Sequence, residues 1–488
     1  MDTNIVTEFQ NFIGGEFRSA HSGAQFETRD PATGELVAKC ASSDAEDVNL
    51  AVSLAQKAFT KGAWAKDPLL RSRVLFEFAA VLEANAPELA SINTRETGKP
   101  YSDSIGEIRG SVDALRYGSG MARNIMGRSR VNRSDSLSLT VRDPVGVIGQ
   151  IIPWNAPIIL LMRDLAPALA AGNVVIVKPA SLASGIIGAI FKLFSTVSEF
   201  PDGVLSLIMG SASNVGVPLA EHPDVNMIVL TGSAETGKTV YQSVARQLKK
   251  VHLELGGKSP FVLFADADLN MALPTLVKNA YMFSGQFCMC PSRLIVQDSI
   301  HDEVVNWLKL RVESMRIGNG LNPETEMGPI ISKAQIDSVL EICKRGAKDA
   351  ELITGAVQLK GEPWSSGSFM APTIFDRVLP DSELAQEELF GPVLSVMTFK
   401  NEQEALELAN NTRFGLVGAV WTQHLDRAIR MSQGIKAGTI WVNAYHETFS
   451  EIESGGSKES GVGRTKGFDG LNEFTELKHI NFRLQSPA

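Results

Sequence analysis

The feature that most constrains this chain is a repeated unit that begins at Val145: a short apolar run, a turn, and a segment with helical spacing. Strands that alternate with helices favour a parallel α/β sheet, because a helix carries the chain back before the next parallel strand begins. The predicted strands are Val145–Ile152, Val174–Lys178, Val204–Met209 and Asn226–Leu230, followed in a second alternating stretch by Phe261–Phe264, Leu294–Gln297 and Val393–Phe399.

Helical spacing of apolar residues also occurs before and between these strands. Asp44 is a candidate N-cap for the first helix, with Asp47 three residues on. The predicted helices are residues 44–60, residues 68–97, Trp307–Met315 and Glu402–Asn410.

At 488 residues the chain is too long for one small core, so two or three domains are expected. A boundary is predicted near Leu255–Ser259, where the chain passes through two glycines between the two alternating stretches. Residues 129–143 and 475–486 are polar and alternating. This pattern predicts an excursion of extended strands away from both cores.

Composition and charge argue against several classes of function. The 46 basic and 55 acidic residues give a net charge of −9, which disfavours nucleic-acid partners and anionic membranes. Met1 to Gly15 shows no signal-peptide pattern, and the apolar stretch Val145–Met162 is interrupted by two prolines and an asparagine, so no membrane span is predicted. Four cysteines predict a reducing, cytoplasmic setting, and seven scattered histidines predict no metal site.

Three segments carry groups suited to acyl chemistry through a thioester. The string Y-M-F-S-G-Q-F-C-M-C-P-S-R contains the thiol of Cys288, H-L-E-L-G-G-K contains the carboxylate of Glu254, and I-I-P-W-N-A-P contains the amide of Asn155. A thiol attacks a carbonyl carbon when a neighbour takes its proton or lowers its pKa, and an amide N–H stabilises the oxyanion that forms. Taken singly, each residue is equally typical of a buried packing thiol, a rim carboxylate or a turn asparagine.

Together and in this order, the three segments closely resemble the aldehyde dehydrogenase superfamily. Two further strings match motifs of that family, E-E-L-F-G-P from Glu387 and G-G-S-K-E-S-G-V-G-R from Gly455, so the resemblance covers nearly the whole chain. It implies an α/β fold with two parallel-sheet domains, one of them a Rossmann-type cofactor domain, and a small β oligomerisation arm. A homodimer or homotetramer is expected by the same analogy.

The resemblance assigns residues 1–128 and 144–254 to the cofactor-binding domain and residues 255–455 to the catalytic domain. It assigns residues 129–143 and 456–488 to the oligomerisation arm and the C-terminal segment. The cofactor-binding and catalytic domains assigned in this way meet at residues 254 and 255, near the boundary that Gly256 and Gly257 indicate.

The resemblance also implies the reaction, which is oxidation of an aldehyde to the carboxylic acid with NAD or NADP. Cys288 would form the thiohemiacetal and thioester, Asn155 would bind the oxyanion, and Glu254 would activate water. The presence of Glu254 argues against the branch in which coenzyme A replaces water. The cofactor-binding residues implied are Ile151, Ile152, Pro153, Trp154, Lys178, Ser181, Gly210, Thr231, Gly232, Ser233, Gly237, Leu255, Glu388 and Phe390.

Ser181 bears on the choice of cofactor. NAD-preferring relatives often carry a glutamate at this place, three residues after the lysine that contacts the adenosine ribose, and its carboxylate would repel a 2′-phosphate. Ser181 would not, which predicts that NADP is accepted and leaves open whether it is preferred. The alternative is that Ser181 merely caps the next helix.

Arg163 bears on the choice of substrate. Arginine suits bidentate binding of a carboxylate, so Arg163 is predicted to clamp an acidic substrate, with a salt bridge at the cavity rim as the alternative. Succinate semialdehyde dehydrogenases carry an arginine at the matching place, as do some benzaldehyde- and vanillin-type relatives. The expected substrate is therefore a semialdehyde or an aromatic aldehyde. Glu453, Ser454 and Thr465 depart from the family's usual residues and alter the expected pocket wall.

Two alternative functions remain. Gly232, Gly237, Lys238 and Thr239 fit the spacing of a P-loop, and an apolar run ending at Asp266 mimics the strand that would hold magnesium, which describes an ATP- or GTP-hydrolysing protein. The other alternative is a catalytically silent member of the resembled family.

Cys290 lies two residues beyond Cys288 and is interpreted as a small packing residue. A strained Cys288–Cys290 disulfide acting as a redox switch is the minor alternative.

Overall fold

A computed structural model describes residues 7–484. Residues 1–6 and 485–488, which belong to the predicted cofactor-binding domain and C-terminal segment, lie outside the described residues, as does part of the stretch Met1–Gly15. The described strands are β1 Thr7–Phe9, β2 Asn11–Ile13, β3 Glu16–Arg18, β4 Gln25–Arg29, β5 Leu36–Ala41, β6 Arg128–Arg133, β7 Ser136–Pro144, β8 Val147–Ile152, β9 Val174–Pro179, β10 Leu205–Leu207, β11 Met227–Thr231, β12 Lys250–Glu254, β13 Pro260–Leu263, β14 Arg293–Gln297, β15 Glu351–Thr354, β16 Thr373–Asp376, β17 Val393–Phe399, β18 Phe414–Gly415, β19 Val417–Trp421, β20 Thr439–Val442, β21 Ser457–Lys458, β22 Gly461–Val462 and β23 Thr475–Arg483.

The α-helices of the same residues alternate with the strands of the two large sheets. They are α1 Ala45–Lys61, α2 Pro68–Ala84, α3 Ala86–Thr97, α4 Tyr101–Met121, α5 Pro157–Ala170, α6 Ser184–Phe194, α7 Val217–Glu221, α8 Ala234–Ala245, α9 Leu269–Ala280, α10 His301–Glu313, α11 Lys333–Gly346, α12 Glu383–Gln386, α13 Glu402–Asn410, α14 Leu425–Gly434 and α15 Gly467–Glu473. No helix within residues 7–484 is long and apolar enough to cross a membrane.

The first sheet has the strand order β22-β12-β11-β8-β9-β10-β2-β3. Its five central strands, β12 to β10 in that order, are parallel, and the outer strands are antiparallel. Every residue of β9 and β11 is buried, as expected for strands covered on both faces. From β8 the chain goes to β9 on one side and later to β11 on the other. Ligands of open α/β sheets bind at such a reversal, beyond the carboxyl ends of the strands.

The second sheet has the order β15-β16-β17-β14-β13-β19-β20 and is parallel except at β15. A third, antiparallel sheet joins β23, β7 and β6, pairing residues 136–144 with 475–483. The prediction of an α/β fold is confirmed, with mixed rather than purely parallel sheets. The domain limits stay a prediction, and β22, from the predicted C-terminal segment, pairs with β12 of the first sheet.

Most local predictions agree with the structure, with two exceptions among the helices. The helix predicted at Trp307–Met315 is α10, which begins six residues earlier, at His301, and ends at Glu313. Asp44 caps α1 in a reciprocal arrangement with Asp47, as the spacing indicated. The helix expected over residues 68–97 is wrong as a single element, because α2 ends before Asn85 and α3 starts after it. Pro87 explains the break, since a proline is tolerated in the first turn of a helix but not in its interior.

Candidate active site

Cys288 lies on a constrained turn between α9 and β14. Phe283, Ser284 and Gly285 just before it have φ values of 51°, 59° and 72°, a left-handed stretch that is costly for the two residues with side chains. A Cβ on Gly285 would overlap the carbonyl of Gly391, so glycine is required there. The turn is therefore fixed by its surroundings, and it presents Cys288 at the wall of a cavity.

The thiol of Cys288 is protonated at neutral pH in the protein alone. Burial raises its pKa to about 12, and the nearby Glu388 carboxylate adds to the shift, while Arg163 opposes it. Cys290 is buried, and its Sγ donates to the carbonyl of Ala280 at 3.2 Å, which is consistent with a packing role.

Glu254 is the last residue of β12, and its side chain is 7% exposed. Burial raises the pKa of this carboxyl to about 7, against the opposing charge of Arg163. The next residues are glycines for a steric reason: a Cβ on Gly256 would overlap the Glu388 carboxylate, and one on Gly257 would lie 2.8 Å from the carbonyl oxygen of Cys288. These two glycines let the chain pass from Glu254 to the second sheet beside Cys288.

Asn155 lies in the turn between β8 and α5 and reaches the Cys288 turn directly. Its side-chain Nδ2 donates to the backbone carbonyl of Gln286 at 3.0 Å, two residues before Cys288. The Asn155 amide therefore contacts the turn that carries Cys288, and both residues line the same cavity.

A buried ion pair holds the Asn155 turn. Lys99 Nζ donates to Glu107 at 2.6 Å and to the backbone carbonyl of Asn155 at 2.6 Å, and both charged side chains are 1% exposed. The other oxygen of Glu107 accepts the backbone N–H groups of Ile158 and Ile159 at the start of α5. The pair thus satisfies donors that a helix N-terminus leaves free and fixes the backbone on both sides of Ala156.

The residues predicted to bind a cofactor cluster at the carboxyl edge of the first sheet. In register, Ile151 lies opposite Lys178, and Leu230 lies opposite Ile151 from the other side. Lys178 is buried and forms no hydrogen bond or ion pair with residues 7–484, and burial lowers its pKa to about 8. A buried amine without a partner at a sheet edge suits a polar ligand group such as a ribose hydroxyl.

Ser233 and Gly232 lie between β11 and α8 at the same edge. The Ser233 hydroxyl accepts the N–H of Thr236 as the N-cap of α8, and nothing lies within 3.8 Å of a Cβ placed on Gly232. A Cβ on Gly237 would clash with Leu255, so this glycine lets α8 pack closely on the segment after β12. An open glycine turn before a helix N-terminus suits a phosphate group.

The remaining predicted cofactor residues flank this edge. Ser181 donates its hydroxyl to the carbonyl of Gly210 at 3.2 Å and does not cap a helix, which removes the alternative interpretation of Ser181. The rings of Trp154 and Phe390 meet edge to face at 5.5 Å. Glu388 accepts the N–H of Gly257 at 3.1 Å, and burial raises its pKa to about 7. Ile152, Pro153 and Thr231 lie at the same edge, at or just beyond the ends of β8 and β11.

Cys288, Glu254, Asn155 and Arg163 all line one cavity of about 450 Å³. The wall is largely apolar, with aromatic side chains from Tyr117, Phe283 and Phe287. Ser454, one of the departures from the expected wall, also lines it. A cavity of this size and lining is typical of a site for a small organic molecule with a few placed polar groups.

Comparisons with known proteins agree with this geometry. The sequence profile of the Aldehyde dehydrogenase family matches residues 17–480. The chain belongs to this family. It is 37% identical over 98% of both chains to betaine aldehyde dehydrogenase of Bacillus subtilis, and 36% identical to human retinaldehyde dehydrogenase 3 over 99% of this chain and 94% of that one.

Solved structures of aldehyde dehydrogenases share the fold. An NAD-dependent aldehyde dehydrogenase from Sinorhizobium meliloti superposes with a TM-score of 0.96 at 37% identity, covering 99% of this chain and 96% of the other. A Staphylococcus aureus betaine aldehyde dehydrogenase in complex with NAD⁺ gives 0.96 at 32% identity, covering 98% and 95%. The prediction of an NAD-dependent aldehyde dehydrogenase enzyme is confirmed at the level of the family.

The P-loop interpretation does not fit an aldehyde dehydrogenase fold or the local contacts. Lys238 pairs with Glu235 and Glu459 instead of lying free for a phosphate, and the Thr239 hydroxyl donates to its own helix backbone. Asp266 follows β13 in the second sheet, whereas the glycine turn follows β11 in the first, and it accepts from Thr422. The strand expected to supply a magnesium ligand is therefore in the wrong sheet.

The guanidinium of Arg163 is largely buried and is hydrogen-bonded to neighbouring side chains. Its side chain is 10% exposed, its Nε and Nη2 hold Asp164 at 2.7–3.3 Å, and Nη2 also donates to Thr231 Oγ1 at 2.6 Å. Its Nη1 lies 3.9 Å from Glu254 Oε2. The substrate-clamp role stays a prediction, and this geometry weighs against it because Asp164 already neutralises the guanidinium.

Sequence reasoning missed three charged residues that hold the site: Lys99, Glu107 and Asp164. The available signal was that Lys99 and Glu107 have small or apolar immediate neighbours, and that Asp164 forms with Arg163 a charged pair in an otherwise apolar helix. A charge in such a segment is unfavourable unless it is paired. Their partners could not be read from spacing, since Lys99 and Asn155 are 56 residues apart.

We predict that Lys99→Met lowers both stability and turnover. The substitution leaves the buried Glu107 carboxylate unpaired, a loss of about 3–5 kcal/mol in comparable pairs. Releasing the Asn155 turn should reduce turnover about tenfold to hundredfold, because a displacement near 1 Å has effects of this size. Thermal unfolding and steady-state turnover measure the two effects.

Lys57→Met is the matched control, because Lys57 is exposed on α1. The double variant Lys99→Met/Glu107→Gln removes both charges and should recover part of the lost stability. Wild-type unfolding temperature and turnover in Lys99→Met would contradict the structural role of the pair.

Proposed function

We propose that this protein oxidises an aldehyde to the carboxylic acid with NAD or NADP through a thioester on Cys288. The observation that carries the proposal is the convergence of a thiol, a carboxyl and an amide donor on one cavity, each from a different element. A silent family member has no need to retain all three groups on one wall.

The first step is attack of the Cys288 thiolate on the aldehyde carbon. Because burial raises the thiol pKa to about 12, the thiol proton has to pass to water in the cavity before attack, and Arg163 is a nearby cation whose charge favours the thiolate that remains. As the C–S bond forms, the carbonyl oxygen gains a negative charge. The Asn155 amide, together with the backbone N–H of Cys288, is proposed to bind it, a stabilisation of about 3–4 kcal/mol per donor in similar sites.

The second step needs an electron acceptor and then water. A bound oxidised nicotinamide would supply the electron acceptor for the hydride that leaves the carbon, which would then remain on Cys288 as a thioester. Glu254 then takes a proton from water, whose oxygen attacks the thioester, and the acid departs as the Cys288 sulfur is released. This role requires the ionised carboxylate, so hydrolysis should rise as pH increases through about 7.

The carboxyl edge of the first sheet supplies fitting partners for the cofactor. Ser233 and Gly232 at the start of α8 would hold the pyrophosphate, Lys178 and Ser181 the adenosine ribose, and Glu388 the nicotinamide ribose. The absence of a carboxylate at Ser181 supports acceptance of NADP.

An aromatic aldehyde is the substrate class that the cavity supports best. The aromatic side chains of Tyr117, Phe283 and Phe287 offer stacking and edge contacts, and the one arginine in the wall already holds Asp164. A semialdehyde is the second candidate, supported by Lys278 and Lys466, which line the same cavity.

The proposal also includes the cellular compartment and the oligomeric state of the protein. All four cysteines are free thiols, which supports a reducing, cytoplasmic compartment. The edge strands β6 and β23 carry the exposed apolar side chains of Val131, Leu477 and Phe482, which supports a homodimer or homotetramer through the third sheet. The cofactor-binding and catalytic roles are proposed for the two domains with the residue limits predicted from the sequence.

We predict that Glu254→Gln separates formation of the thioester from its hydrolysis. The variant should release a rapid burst of reduced cofactor, because attack and hydride loss do not need water. Steady-state turnover should fall about 10²- to 10⁴-fold, the usual contribution of a general base. Rapid mixing with absorbance detection of the reduced nicotinamide measures both.

Cys288→Ala should abolish burst and turnover, and Cys290→Ala, the neighbouring thiol that packs against Ala280, should keep both. Undiminished turnover in Cys288→Ala would exclude the thioester route.

We predict that Ser181→Glu shifts the cofactor ratio toward NAD. A carboxylate beside the ribose repels the 2′-phosphate, so kcat/KM for NADP should fall tenfold or more relative to NAD, a difference of about 1.4 kcal/mol. Ser181→Ala introduces no charge and should leave the ratio near that of the wild type. An unchanged ratio in Ser181→Glu would show that position 181 does not face the phosphate.

A further inference from the structure

Among residues 7–484, Arg163 is the cation that lies nearest to the Glu254 carboxylate. Its Oε1 has no hydrogen-bond partner among residues 7–484, and its Oε2 lies 3.9 Å from Arg163 Nη1. His252 lies 3.8 Å away on the other side, but burial lowers the pKa of its ring to about 4, so it is neutral at physiological pH. The nearest fixed positive charge is thus the guanidinium of Arg163.

The guanidinium is aimed by its other contacts. The Asp164 carboxylate accepts hydrogen bonds from both Nε and Nη2 of Arg163, and Thr231 accepts a further hydrogen bond from Nη2. Together these contacts fix the plane of the guanidinium. Nη1 forms no hydrogen bond with the described residues and points toward the cavity that Glu254 shares. Only this corner of Arg163 remains available to the site.

Asp164 is ionised beside the guanidinium of Arg163. Burial alone would raise its pKa, but Arg163 and the accepted hydrogen bonds outweigh it and keep the pKa below its ordinary value. One of these hydrogen bonds, at 3.1 Å, comes from the hydroxyl of Thr465, which lies 301 residues further along the chain. Asp164 therefore both orients Arg163 and competes with Glu254 for its charge.

We propose that Arg163, oriented by Asp164, Thr231 and Thr465, is a positioning residue that keeps Glu254 ionised and in place for water activation, and is not a receptor for a substrate carboxylate. This inference rests on the proposed function, in which Glu254 is the base of thioester hydrolysis. It assigns Arg163 and Asp164 opposite effects on that base, since one offers a positive charge and the other neutralises it.

A substrate carboxylate is a poor fit at the same corner. It would have to lie within hydrogen-bond distance of Nη1, where Glu254 Oε2 is already the nearest anion. Two carboxylates sharing one partly neutralised guanidinium repel each other, and one of them takes up a proton. An acidic aldehyde bound there would disable the base that its own hydrolysis requires.

Several groups contribute to the titration of Glu254 and define what the test has to separate. They are Arg163 and Asp164 on α5, Arg464 and Lys466 after β22, the Cys288 thiol and the backbone of Gly456, and the ring of His252 on β12 also faces the carboxylate. Of these, only Arg163 and Asp164 form a pair of opposite charges on one helix. The substitutions Arg163→Gln and Asp164→Asn remove these charges one at a time and leave neutral amide side chains.

The experiment is a pH titration of the Glu254 carboxyl in the cofactor-free full-length protein by infrared difference spectroscopy. The protonated carboxyl band that disappears in Glu254→Gln identifies the group. In Arg163→Gln the midpoint should move up by about 1–2 pH units, because the attractive charge is lost. In Asp164→Asn it should move down, because the competing anion is lost and Arg163 is released toward Glu254.

The acidic limb of thioester hydrolysis should move with the band in each variant, by the same amount for benzaldehyde and succinate semialdehyde. Arg430→Gln, which breaks an exposed pair with Glu402, is the matched control and should move neither. If one single variant fails to fold, the double variant Arg163→Gln/Asp164→Asn keeps neutral hydrogen-bonding groups. Its midpoint should move from that of the remaining single variant back toward the wild-type value, because the opposite charge is removed as well.

Shifts in the same direction, or an unmoved band combined with a KM increase for succinate semialdehyde alone, would overturn the positioning role and restore the clamp. A wild-type enzyme that forms no reduced cofactor with either aldehyde would instead contradict the proposed function, since hydride loss to the cofactor does not depend on Arg163 acting on Glu254.

Discussion

The passage of the chain from β12 to β13 is the constraint on which the site depends. Glu254 ends the last parallel strand of the first sheet, and six residues later the second sheet begins at Pro260. Gly256 and Gly257 leave no room for side chains, because the Glu388 carboxylate and the Cys288 carbonyl lie against them. Glu254, Cys288 and Glu388, the proposed base, nucleophile and cofactor ligand, are thus brought together by close packing, and a side chain at either glycine would overlap one of its two neighbours.

The site also concentrates buried charge. Lys99 with Glu107 and Arg163 with Asp164 are two largely buried ion pairs. The first holds the Asn155 turn, and the second is proposed to position the Glu254 carboxyl. Buried pairs contribute little net stability, because desolvation offsets most of their attraction. Their value here is geometric, since hydrogen bonds to a guanidinium or to a helix N-terminus fix direction as well as distance.

Much of this arrangement could be predicted from the sequence. The alternation after Val145 predicted the parallel centre of the first sheet, and the motif strings singled out Cys288, Glu254 and Asn155. What could not be predicted are contacts made between distant segments, such as Thr465 with Asp164, because spacing along the chain carries no information about them. The same limit explains Arg163, whose predicted partner was a substrate and whose observed partners are Asp164, Thr231 and Glu254. The P-loop spacing shows the converse error, a local pattern that the sheet order separates from its expected partner strand.

The measurement that tests the account most directly is mass spectrometry of the acid-quenched Glu254→Gln protein after mixing with benzaldehyde and oxidised cofactor. The account predicts one benzoyl group on the peptide that contains Cys288, formed only when the cofactor is present, because the thioester forms and cannot be hydrolysed. Formation of reduced cofactor without an acyl group on Cys288, or an acyl group on another residue, would contradict it.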